Sequence, residues 1–436
     1  MSDAFIGLLG IIALLIILAT SLPIALCLAV VGIAGLIILA GPEAAIRTIA
    51  SATFTRMTDL SLIIIPLFVL MGMLAQQGGL SSRTYETLSM WVGKIKGGLA
   101  VATMAACTAF GTVCGSSMVT ASVFAKISAP EMRRNGYDKK LAYATCSSGG
   151  TIGMLIPPSV LLVIYGIASQ ESIGRLLIGG ISPGLVLFII FALGILLMIK
   201  VRPQLATESS TTATWRQRIS SLKSLLPVFI SVAIIFGGIF TGIFSPAEAA
   251  SVVVIILFAI MLTSKNRSWQ SVRVALIETI ATSSMIFLIL VGAGIFTRFL
   301  VYSTLTSTVL EMVVSLGISP IYYMLATVLL YLVLGCFLDS ISMVTITIPI
   351  LHPAALALGI DPMQFAVVAV LAMEAGLLTP PIGLNIYAVK AVAEGDVTLQ
   401  DLFAGIWPFL VMMLLAILLF VAIPSLSTFL PNAMYG

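Results

Sequence analysis

Residues 115–122 read GSSMVTAS, and residues 339–346 read DSISMVTI, so the tetrapeptide Ser-Met-Val-Thr occurs twice. The two copies begin at Ser117 and Ser342, 225 positions apart in a chain of 436 residues. Both copies lie inside strongly apolar sequence. A small polar cluster placed once in each half indicates that the chain contains two copies of one structural unit.

The repetition extends beyond four residues. The first copy is followed by GGTIGMLIPPSVLLVIYGIAS (149–169) and the second by EAGLLTPPIGLNIYAVKAVA (374–393), so a Pro-Pro pair and a later tyrosine recur in the same order. The serine that opens each copy precedes the first proline by 40 residues in one half and by 38 in the other. Several features at matching spacing predict an internal repeat.

The composition is that of a membrane protein. Hydrophobic residues make up 60% of the chain and charged residues 9%, with a mean hydropathy of +1.19, whereas roughly a quarter of the residues in a soluble domain are charged. Apolar runs such as 4–20, 22–41 and 178–199 are near the ~20 residues that a spanning helix needs. The alternating pattern of membrane strands is absent. The chain is therefore predicted to be an all-α integral membrane protein in a lipid bilayer, and its net charge of +4 requires no nucleic-acid partner.

The sequence lacks common motifs of ATP hydrolysis and of metal-dependent catalysis. The chain has no GxxxxGK[ST] or HExxH stretch, and its five cysteines show no CxxC spacing. The one histidine, His352, cannot build a metal site or a nucleophile–base pair unaided. We therefore predict a protein that is not an enzyme and is not driven by ATP.

Lysine and arginine predict which segments face the cytoplasm. Residues 201–223 are basic and are predicted to be a cytoplasmic linker between the halves. Residues 97–125 have basic residues on both sides, yet 29 residues are too few for two crossings, which predicts a re-entrant hairpin entering from the cytoplasm. Residues 320–351 form a similar apolar stretch without nearby basic residues and are predicted to be a hairpin entering from the opposite face. The basic residues around the first hairpin are Lys94, Lys96, Lys126, Arg133 and Arg134, and a second cytoplasmic loop carries Lys265, Arg267 and Arg273.

The two halves are predicted to be inverted repeats. Residues 1–200 form the first, with a helix broken at Pro-Pro over 141–167, and residues 224–436 form the second, with a broken helix over 364–391. Five crossings and one hairpin per half give about ten transmembrane helices plus two re-entrant hairpins, with the second half upside down. The acidic start MSDAF indicates that 4–20 is a retained first helix. The N-terminus is predicted to be periplasmic. Connecting helices near the interfaces are predicted at 42–58, 81–96 and 301–317.

Both Pro-Pro pairs break a helix within the membrane, because proline lacks an N–H and clashes with the preceding turn. The freed carbonyl groups need partners in hydrocarbon. Clustered carbonyl and hydroxyl oxygens with little formal charge suit Na⁺, although helix packing by small residues is the competing interpretation. The predicted Na⁺ ligands are Ser116, Ser117, Thr120, Gly149, Gly150, Gly153 and Pro157 in the first half, and Asp339, Ser342, Thr345, Gly376, Thr379 and Pro380 in the second.

Asp339 precedes the second Ser-Met-Val-Thr copy, at the place where the first half has Cys114. An unpaired carboxylate is expensive inside a membrane, so we expect it to face water, a cation or the substrate. A headgroup position at the base of the hairpin is the alternative. Glu374 lies at the start of the second unwound segment. A functional role and a structural role are equally compatible with this position. The predicted substrate-binding residues are Ser116, Ser117, Asp339, Ser340 and Asn385.

The chain resembles the large membrane subunit of tripartite ATP-independent periplasmic (TRAP) transporters from end to end. The resemblance rests on IPLFVLMGMLAQQGGLSSR (65–83), GTVCGSSMVTAS (111–122), GGTIGMLIPPS (149–159), GIFSPAEAASV (242–252), LGCFLDSISMVTITIPI (334–350) and GLLTPPIGLNIY (376–387). It implies an importer of organic acids in the bacterial inner membrane, coupled to two or more Na⁺ ions. It also implies an elevator mechanism, in which a transport domain carrying both hairpins moves against a scaffold.

The same resemblance implies two protein partners. One is a small four-helix membrane subunit, expected to be a separate chain because the four extra helices of fused members are absent here. The other is a periplasmic substrate-binding protein. A stand-alone Na⁺/dicarboxylate symporter with the same hairpin plan is the first alternative, and a passive channel or a membrane-embedded enzyme is the second. Sialic acid, C4-dicarboxylates and other carboxylates all remain candidate substrates.

Overall fold

The structure is a computed structural model that describes residues 2–18, 20, 22–93, 95–207, 213–263 and 268–435. Within these ranges the chain forms α-helices and short 3₁₀ turns without any strand, which confirms the predicted all-α class. The helices up to the linker are α1 (Asp3–Leu18), α2 (Ile24–Ala40), α3 (Pro42–Met57), α4 (Ile64–Gln77), α5 (Leu80–Val92), α6 (Gly98–Cys114), α7 (Ser117–Arg134), α8 (Lys139–Ile152), α9 (Val160–Ser169), α10 (Ile173–Gly179) and α11 (Ile181–Val201).

The remaining helices follow the linker in chain order. They are α12 (Trp215–Ser221), α13 (Leu226–Phe240), α14 (Pro246–Thr263), α15 (Trp269–Tyr302), α16 (Leu305–Ser315), α17 (Pro320–Leu334), α18 (Ser340–Ala357), α19 (Pro362–Gly376), α20 (Leu384–Val392), α21 (Leu399–Ala422) and α22 (Ser425–Tyr435). Connecting helices predicted at 42–58, 81–96 and 301–317 are present as α3, α5 and α16. The basic residues Lys94, Lys265 and Arg267 and the linker residues 208–212 lie outside the described residues.

Seven helical segments of the described chain are long and apolar enough to cross a bilayer. They include Leu60–Gln77, Pro246–Thr263, Leu399–Ala422 and the second hairpin arm α18, and shorter apolar helices such as α1, α2 and the first hairpin arms α6 and α17 accompany them. The chain is therefore a multi-pass helical membrane protein. The total of about ten crossings remains a prediction, because helix lengths alone do not give the position of the membrane.

Both predicted hairpins are present as pairs of helices. The first consists of α6 and α7, which meet at Gly115 in a left-handed conformation with a φ of +64°. The second consists of α17 and α18, which meet at residues 335–339. Both second arms run further than predicted, to Arg134 instead of residue 125 and to Ala357 instead of residue 351. The polar residues after position 125 and the prolines inside both arms do not end these helices.

Both predicted broken helices are also present, with ends within about two residues of the prediction. α8 and α9 are separated by a turn containing Pro157-Pro158, and α19 and α20 by a turn containing Pro380-Pro381; both Pro-Pro bonds are cis. Ser159 restarts the helix in the first half, since its hydroxyl accepts from the Leu162 amide at 3.2 Å. α8 and α19 are buried along almost their whole length, so these helices form the centre of the bundle.

The two broken helices run antiparallel. At one end, Lys139 at the start of α8 pairs with Asp396, just beyond α20, at 3.4 Å, and Arg133 at the end of α7 pairs with the same carboxylate at 3.1 Å. The Lys139 ammonium holds the pKa of Asp396 below its usual value. At the other end, Glu171 beyond α9 contacts His352 of α18 at 3.3 Å. The open ends of the two hairpins therefore lie at opposite ends of the bundle, as an inverted repeat requires.

Each hairpin packs against the broken helices of both halves. α6 lies on α8 and α17 lies on α19, while α7 contacts α20 and α18 contacts α9. The two halves interlock through these exchanged contacts. The hairpins and the broken helices thus form one central group.

A second group of helices surrounds one side of the centre. The 34-residue helix α15 packs along α2, α3 and α4, and α14 packs on α4. The contact of α2 with α15 is close, because a Cβ at Gly32 would lie 2.9 Å from the Phe296 amide nitrogen. This division into two groups is compatible with the expected scaffold and transport domains, and the elevator movement itself remains a prediction.

The linker is docked onto the first half. Trp215 of α12 packs edge-on against Trp91 of α5 with ring centroids 6.3 Å apart. The Trp91 indole nitrogen donates to the Arg218 carbonyl at 3.3 Å. The α12 segment of the predicted linker 201–223 is therefore helical and attached to α5.

Candidate functional site

A cavity of about 430 Å³ lies where the two hairpin tips meet. Ser116 and Ser117 of the first tip and Asp339 and Ser340 of the second line it, while α4, α9 and α15 supply mostly apolar walls. Four of the five predicted substrate-binding residues therefore face one cavity. Asn385, the fifth, is fully buried beside it and contacts Ser117.

The first tip is held by a tight turn and by glycine contacts. Ser116 caps α7, and its hydroxyl accepts from the Val119 amide at 3.4 Å. Gly150 of α8 lies against the Ser117 carbonyl, which a Cβ at Gly150 would approach to 2.4 Å. Such an approach requires glycine, so the backbone of the broken helix is pressed onto the tip.

The second tip is capped by a charged residue. Asp339 accepts hydrogen bonds from the amides of Ile341 at 3.1 Å and Ser342 at 3.4 Å, and from the Ser342 hydroxyl. A carboxylate at a helix N-terminus is favoured by the unpaired amides and by the helix dipole. Asp339 therefore stabilises the start of α18 and also lines the cavity, which places it at the site and away from the base of the hairpin.

Glycine pairs close the back of each tip in the same way. A Cβ at Gly153 would lie 2.5 Å from the Gly111 Cα, and a Cβ at Gly335 would lie 2.5 Å from the Gly376 Cα. In both halves the hairpin and the end of the broken helix touch backbone to backbone. Two of the predicted Na⁺ ligands, Gly153 and Gly376, lie at these contacts.

The number of positions that separates structurally equivalent residues of the two halves differs from the number that separates the two tetrapeptides. Three equivalent pairs lie 223 positions apart, namely Ser116 with Asp339, Gly153 with Gly376, and Pro157 with Pro380. The Ser-Met-Val-Thr copies lie 225 apart, so the structure pairs Ser117 with Ser340 and not with Ser342. The pairing of Asp339 with Cys114 is therefore wrong, since Asp339 occupies the capping position of Ser116.

A buried polar cluster joins the two halves next to the cavity. The Ser340 hydroxyl donates to the Glu374 Oε1 at 2.8 Å, and the Ser117 hydroxyl donates to the Asn385 Oδ1 at 3.4 Å. Glu374 and Asn385 are both 0% exposed. Neither the Glu374 Oε2 nor the Asn385 Nδ2 has a hydrogen-bond partner. The sequence did not decide between a functional and a structural role for Glu374. Its position directly after an apolar run was the one feature that could have indicated burial.

The hydroxyl groups of the predicted Na⁺ ligands fit a small cation to different degrees. The Thr120 Oγ1 is buried and has no hydrogen-bond partner. The Thr345 hydroxyl donates to the Ser342 carbonyl of its own helix at 3.1 Å, the Thr379 hydroxyl donates to the Ala375 carbonyl at the end of α19 at 2.8 Å, and both keep lone pairs free. Among the described residues, no group of three His, Cys, Asp or Glu side chains could hold a metal ion. Oxygen donors with low formal charge fit Na⁺ better than a divalent metal.

Some predicted ligands are occupied in other ways. A Cβ at Gly149 would meet the Cys107 side chain at 2.7 Å, so Gly149 serves the packing of α8 on α6. The Cys336 thiol lies 3.5 Å from the Pro380 carbonyl and ties the second break to its own hairpin. The Ser342 hydroxyl is directed to Asp339.

Two features outside the cavity bear on catalysis. The His352 ring contacts the Tyr165 hydroxyl at 3.0 Å through Nδ1 and Glu171 at 3.3 Å through Nε2. The sequence GISPG at 180–184 matches the GxSxG spacing of serine hydrolases, but the Ser182 hydroxyl donates to a backbone carbonyl at 2.7 Å. His352 and Ser182 are therefore each hydrogen-bonded to other groups, and they do not form a nucleophile–base pair with each other.

The chain matches the family model described as "Tripartite ATP-independent periplasmic transporter, DctM component" over residues 11–426. It is 31% identical to the C4-dicarboxylate TRAP transporter large permease protein DctM of Pseudomonas aeruginosa, covering 91% of this chain and 92% of that protein. It is also 31% identical to the ectoine TRAP transporter large permease protein TeaC of Halomonas elongata, covering 94% and 95%. These similarities extend over nearly the full length of each protein.

Two further similarities concern architecture. The isethionate TRAP transporter permease protein DctMQ of Oleidesulfovibrio alaskensis is 29% identical and is matched over 94% of this chain but 64% of its own length. The crystal structure of the YdaH transporter of Alcanivorax borkumensis superposes with a TM-score of 0.62 at 16% identity, covering 88% of both chains. The second similarity supports the fold alone.

Proposed function

We propose that this chain, which belongs to the DctM component family of the tripartite ATP-independent periplasmic transporters, imports an organic acid by Na⁺-coupled secondary transport. It resides in the bacterial inner membrane with its N-terminus in the periplasm. A periplasmic substrate-binding protein delivers the substrate. The central group of hairpins and broken helices moves against the surrounding helices as an elevator.

The charge of the cavity carries this proposal. Asp339 lines the cavity, and no lysine or arginine is among the described residues that line it. Two like charges 4 Å apart repel by about 4 kcal/mol at an effective dielectric constant of about 20. A carboxylate substrate therefore needs a cation in the same cavity, and Na⁺ bound at the oxygen-rich tips supplies that charge. Cation and substrate would then load together.

The substrate class is a carboxylate small enough for the cavity. Relatives are named for C4-dicarboxylate and ectoine transport, both of which are small solutes bearing carboxylates. A cavity of about 430 Å³ accommodates molecules of this size. C4-dicarboxylates and sialic acid are the substrates to test first.

A small membrane subunit is proposed to be a partner of this chain. The relative DctMQ is considerably longer than the region that this chain matches, and its name combines two components. A small membrane component is therefore proposed to bind the surrounding helices.

Uptake into proteoliposomes tests the proposal. The chain is reconstituted with the small subunit, and succinate, sialic acid and ectoine are offered with and without the binding protein encoded beside it. We expect uptake of one substrate that requires both an inward Na⁺ gradient and the loaded binding protein. Equal uptake with K⁺ in place of Na⁺ would refute the coupling. Uptake driven by Na⁺ without the binding protein would identify a stand-alone symporter.

A further inference from the structure

We propose that Glu374 is the carboxylate ligand of a Na⁺ ion held between the two halves, together with Ser117, Ser340 and Asn385. This inference rests on the proposed Na⁺ coupling. It adds a site to the two sets of ligands predicted at the tips, because Glu374 and Asn385 belong to neither set. The site is a single, asymmetric one.

The first observation is the incomplete bonding of Glu374. Its side chain is 0% exposed, and the Ser340 hydroxyl satisfies Oε1 at 2.8 Å. The second carboxylate oxygen, Oε2, has no hydrogen-bond partner. A buried carboxylate with an unsatisfied oxygen is strongly unfavourable unless a positive charge or a donor accompanies it. A bound cation supplies what this oxygen lacks.

The second observation concerns Asn385. Its side chain is also 0% exposed, with Oδ1 accepting from the Ser117 hydroxyl and Nδ2 left without a partner. The oxygen and nitrogen of an amide are exchanged by a simple rotation of the side chain. After that rotation the nitrogen donates to Ser117, and the oxygen takes the place of the unpartnered nitrogen. Asn385 can thus present an oxygen to an ion while remaining bonded to the first tip.

The four side chains are connected across the halves. Ser117 belongs to the first tip, yet it contacts Asn385 of the second broken helix at 3.4 Å. Ser340 of the second tip bonds to the same carboxylate. An ion at this place would therefore hold the first tip, the second tip and the second broken helix together.

The chemistry of the donors selects a monovalent hard cation. The set contains one carboxylate, two hydroxyls and one amide, with neither imidazole nor thiolate. Ca²⁺ sites usually contain several carboxylates, and transition metals prefer nitrogen or sulfur. One negative charge with neutral oxygens matches the single charge of Na⁺.

The first half cannot form an equivalent site. At the spacing of 223 positions, Glu374 corresponds to Thr151 and Asn385 to Leu162. The Thr151 hydroxyl donates to the Ser148 carbonyl of its own helix at 2.7 Å, and leucine offers no oxygen. The proposed ion therefore has no symmetric counterpart.

Sodium binding to the purified protein tests the inference without transport. The readouts are the number of ²²Na⁺ ions bound per chain and the Na⁺ concentration that half-maximally raises the thermal unfolding temperature, with K⁺ keeping the ionic strength constant. Glu374→Gln should bind one ion fewer than the wild type or require at least tenfold more Na⁺. The matched control is Glu278→Gln, the same change at an exposed position of α15, which should leave both readouts unchanged.

A second variant keeps the test decisive if Glu374→Gln does not fold. Ser340→Ala removes one neutral ligand and should raise the required Na⁺ concentration several-fold. Unchanged ion number and unchanged Na⁺ requirement in the folded variants would overturn the site at Glu374 while leaving Na⁺ coupling intact. A wild-type protein that neither binds ²²Na⁺ nor is stabilised by Na⁺ would overturn the coupling itself, and this site with it.

Discussion

The hairpin and broken helix of the first half are built like those of the second, but the two differ in the charge they carry. Each half has a capped tip, a glycine pair behind it and a cis Pro-Pro turn. At equivalent places, the first half has Ser116, Thr151 and Leu162, where the second has Asp339, Glu374 and Asn385. The comparison teaches that the repeated backbone supplies the geometry of the site, while the second half alone supplies its carboxylates.

The opposite orientation of the halves gives an all-or-none prediction. Lys96→Cys and Ser319→Cys, each in a cysteine-free background, stand at the open ends of the first and second hairpins. A membrane-impermeant maleimide should label position 96 from the cytoplasmic side and position 319 from the periplasmic side. The matched control is labelling after detergent permeabilisation, which should reach both. Labelling of both from one side would contradict the inverted repeat.

The shared backbone geometry predicts equal and large effects at the glycine pairs. In Gly153→Ala and Gly376→Ala the new Cβ meets backbone atoms, at 2.5 Å from the Gly111 Cα and 2.4 Å from the Tyr331 carbonyl. Overpacking of this kind costs about 1–3 kcal/mol and can exceed that where the obstacle is backbone. Thermal unfolding in detergent should show a clear loss of stability in both variants.

The control for this prediction is Gly237→Ala in α13, where a Cβ would meet nothing within 4 Å. Replacing a helical glycine in open space should stabilise by about 0.5–1 kcal/mol. A stable Gly153→Ala together with an unstable Gly376→Ala would show that the two halves are not packed alike.

The difference in charge predicts unequal effects at the two caps. Asp339→Asn keeps the shape and part of the cap but removes the charge from the cavity, so uptake should fall at least tenfold and need more Na⁺, equivalent to about 1.4 kcal/mol or more. Ser116→Ala should cost about 1 kcal/mol of stability through the lost cap, with a smaller change in Na⁺ dependence. Initial uptake rates against Na⁺ concentration, at matched expression, measure both. Equal effects would remove Asp339 from any role specific to its charge.

The spacing of equivalent residues predicts the smallest effects. Ser117→Ala and Thr120→Ala each remove one oxygen at the first tip, a loss of about 1 kcal/mol if one polar contact is broken, so the Na⁺ requirement should rise several-fold with normal membrane insertion. Ser340→Ala should resemble Ser117→Ala, because these serines are equivalent in the structure. If Ser342→Ala resembled it instead, the tetrapeptide spacing would describe the site better. Unchanged Na⁺ titration in the first two variants would remove those side chains from the site.

Much of the architecture was predictable because it depends on local sequence. Pro-Pro pairs flanked by glycine break helices wherever they occur, and both broken helices were placed within about two residues. The hairpin ends were predicted too short, because α7 continues through Pro130 and α18 through Pro349 and Pro353. Both helices can continue because neighbouring helices pack against them and because the charged side chains of α7 are at least partly exposed. The sequence of one segment shows neither which side chains are exposed nor which helices are its neighbours.

The central cluster was less predictable because it depends on contacts distant in sequence. Ser117 and Asn385 are 268 positions apart and meet only after the halves interlock. Ser116 and Asp339 are both helix caps, a role fixed by where α7 and α18 begin, and an identical tetrapeptide two residues out of step concealed their equivalence. Burial leaves one oxygen of the Glu374 carboxylate without a hydrogen-bond partner, which the sequence alone does not show.

The length of α15 has a consequence for the surrounding lipid. Its 34 residues extend about 51 Å at 1.5 Å per residue, whereas the hydrocarbon core of a bilayer is about 30 Å thick. The corresponding region of the first half is interrupted between α3 and α4 and can bend there. An uninterrupted rod of this length must tilt in the membrane or project from it, and a change in bilayer thickness must change that tilt or projection. A change in membrane thickness should therefore affect the α15 side of this permease more than the side formed by α3 and α4, where the chain can bend.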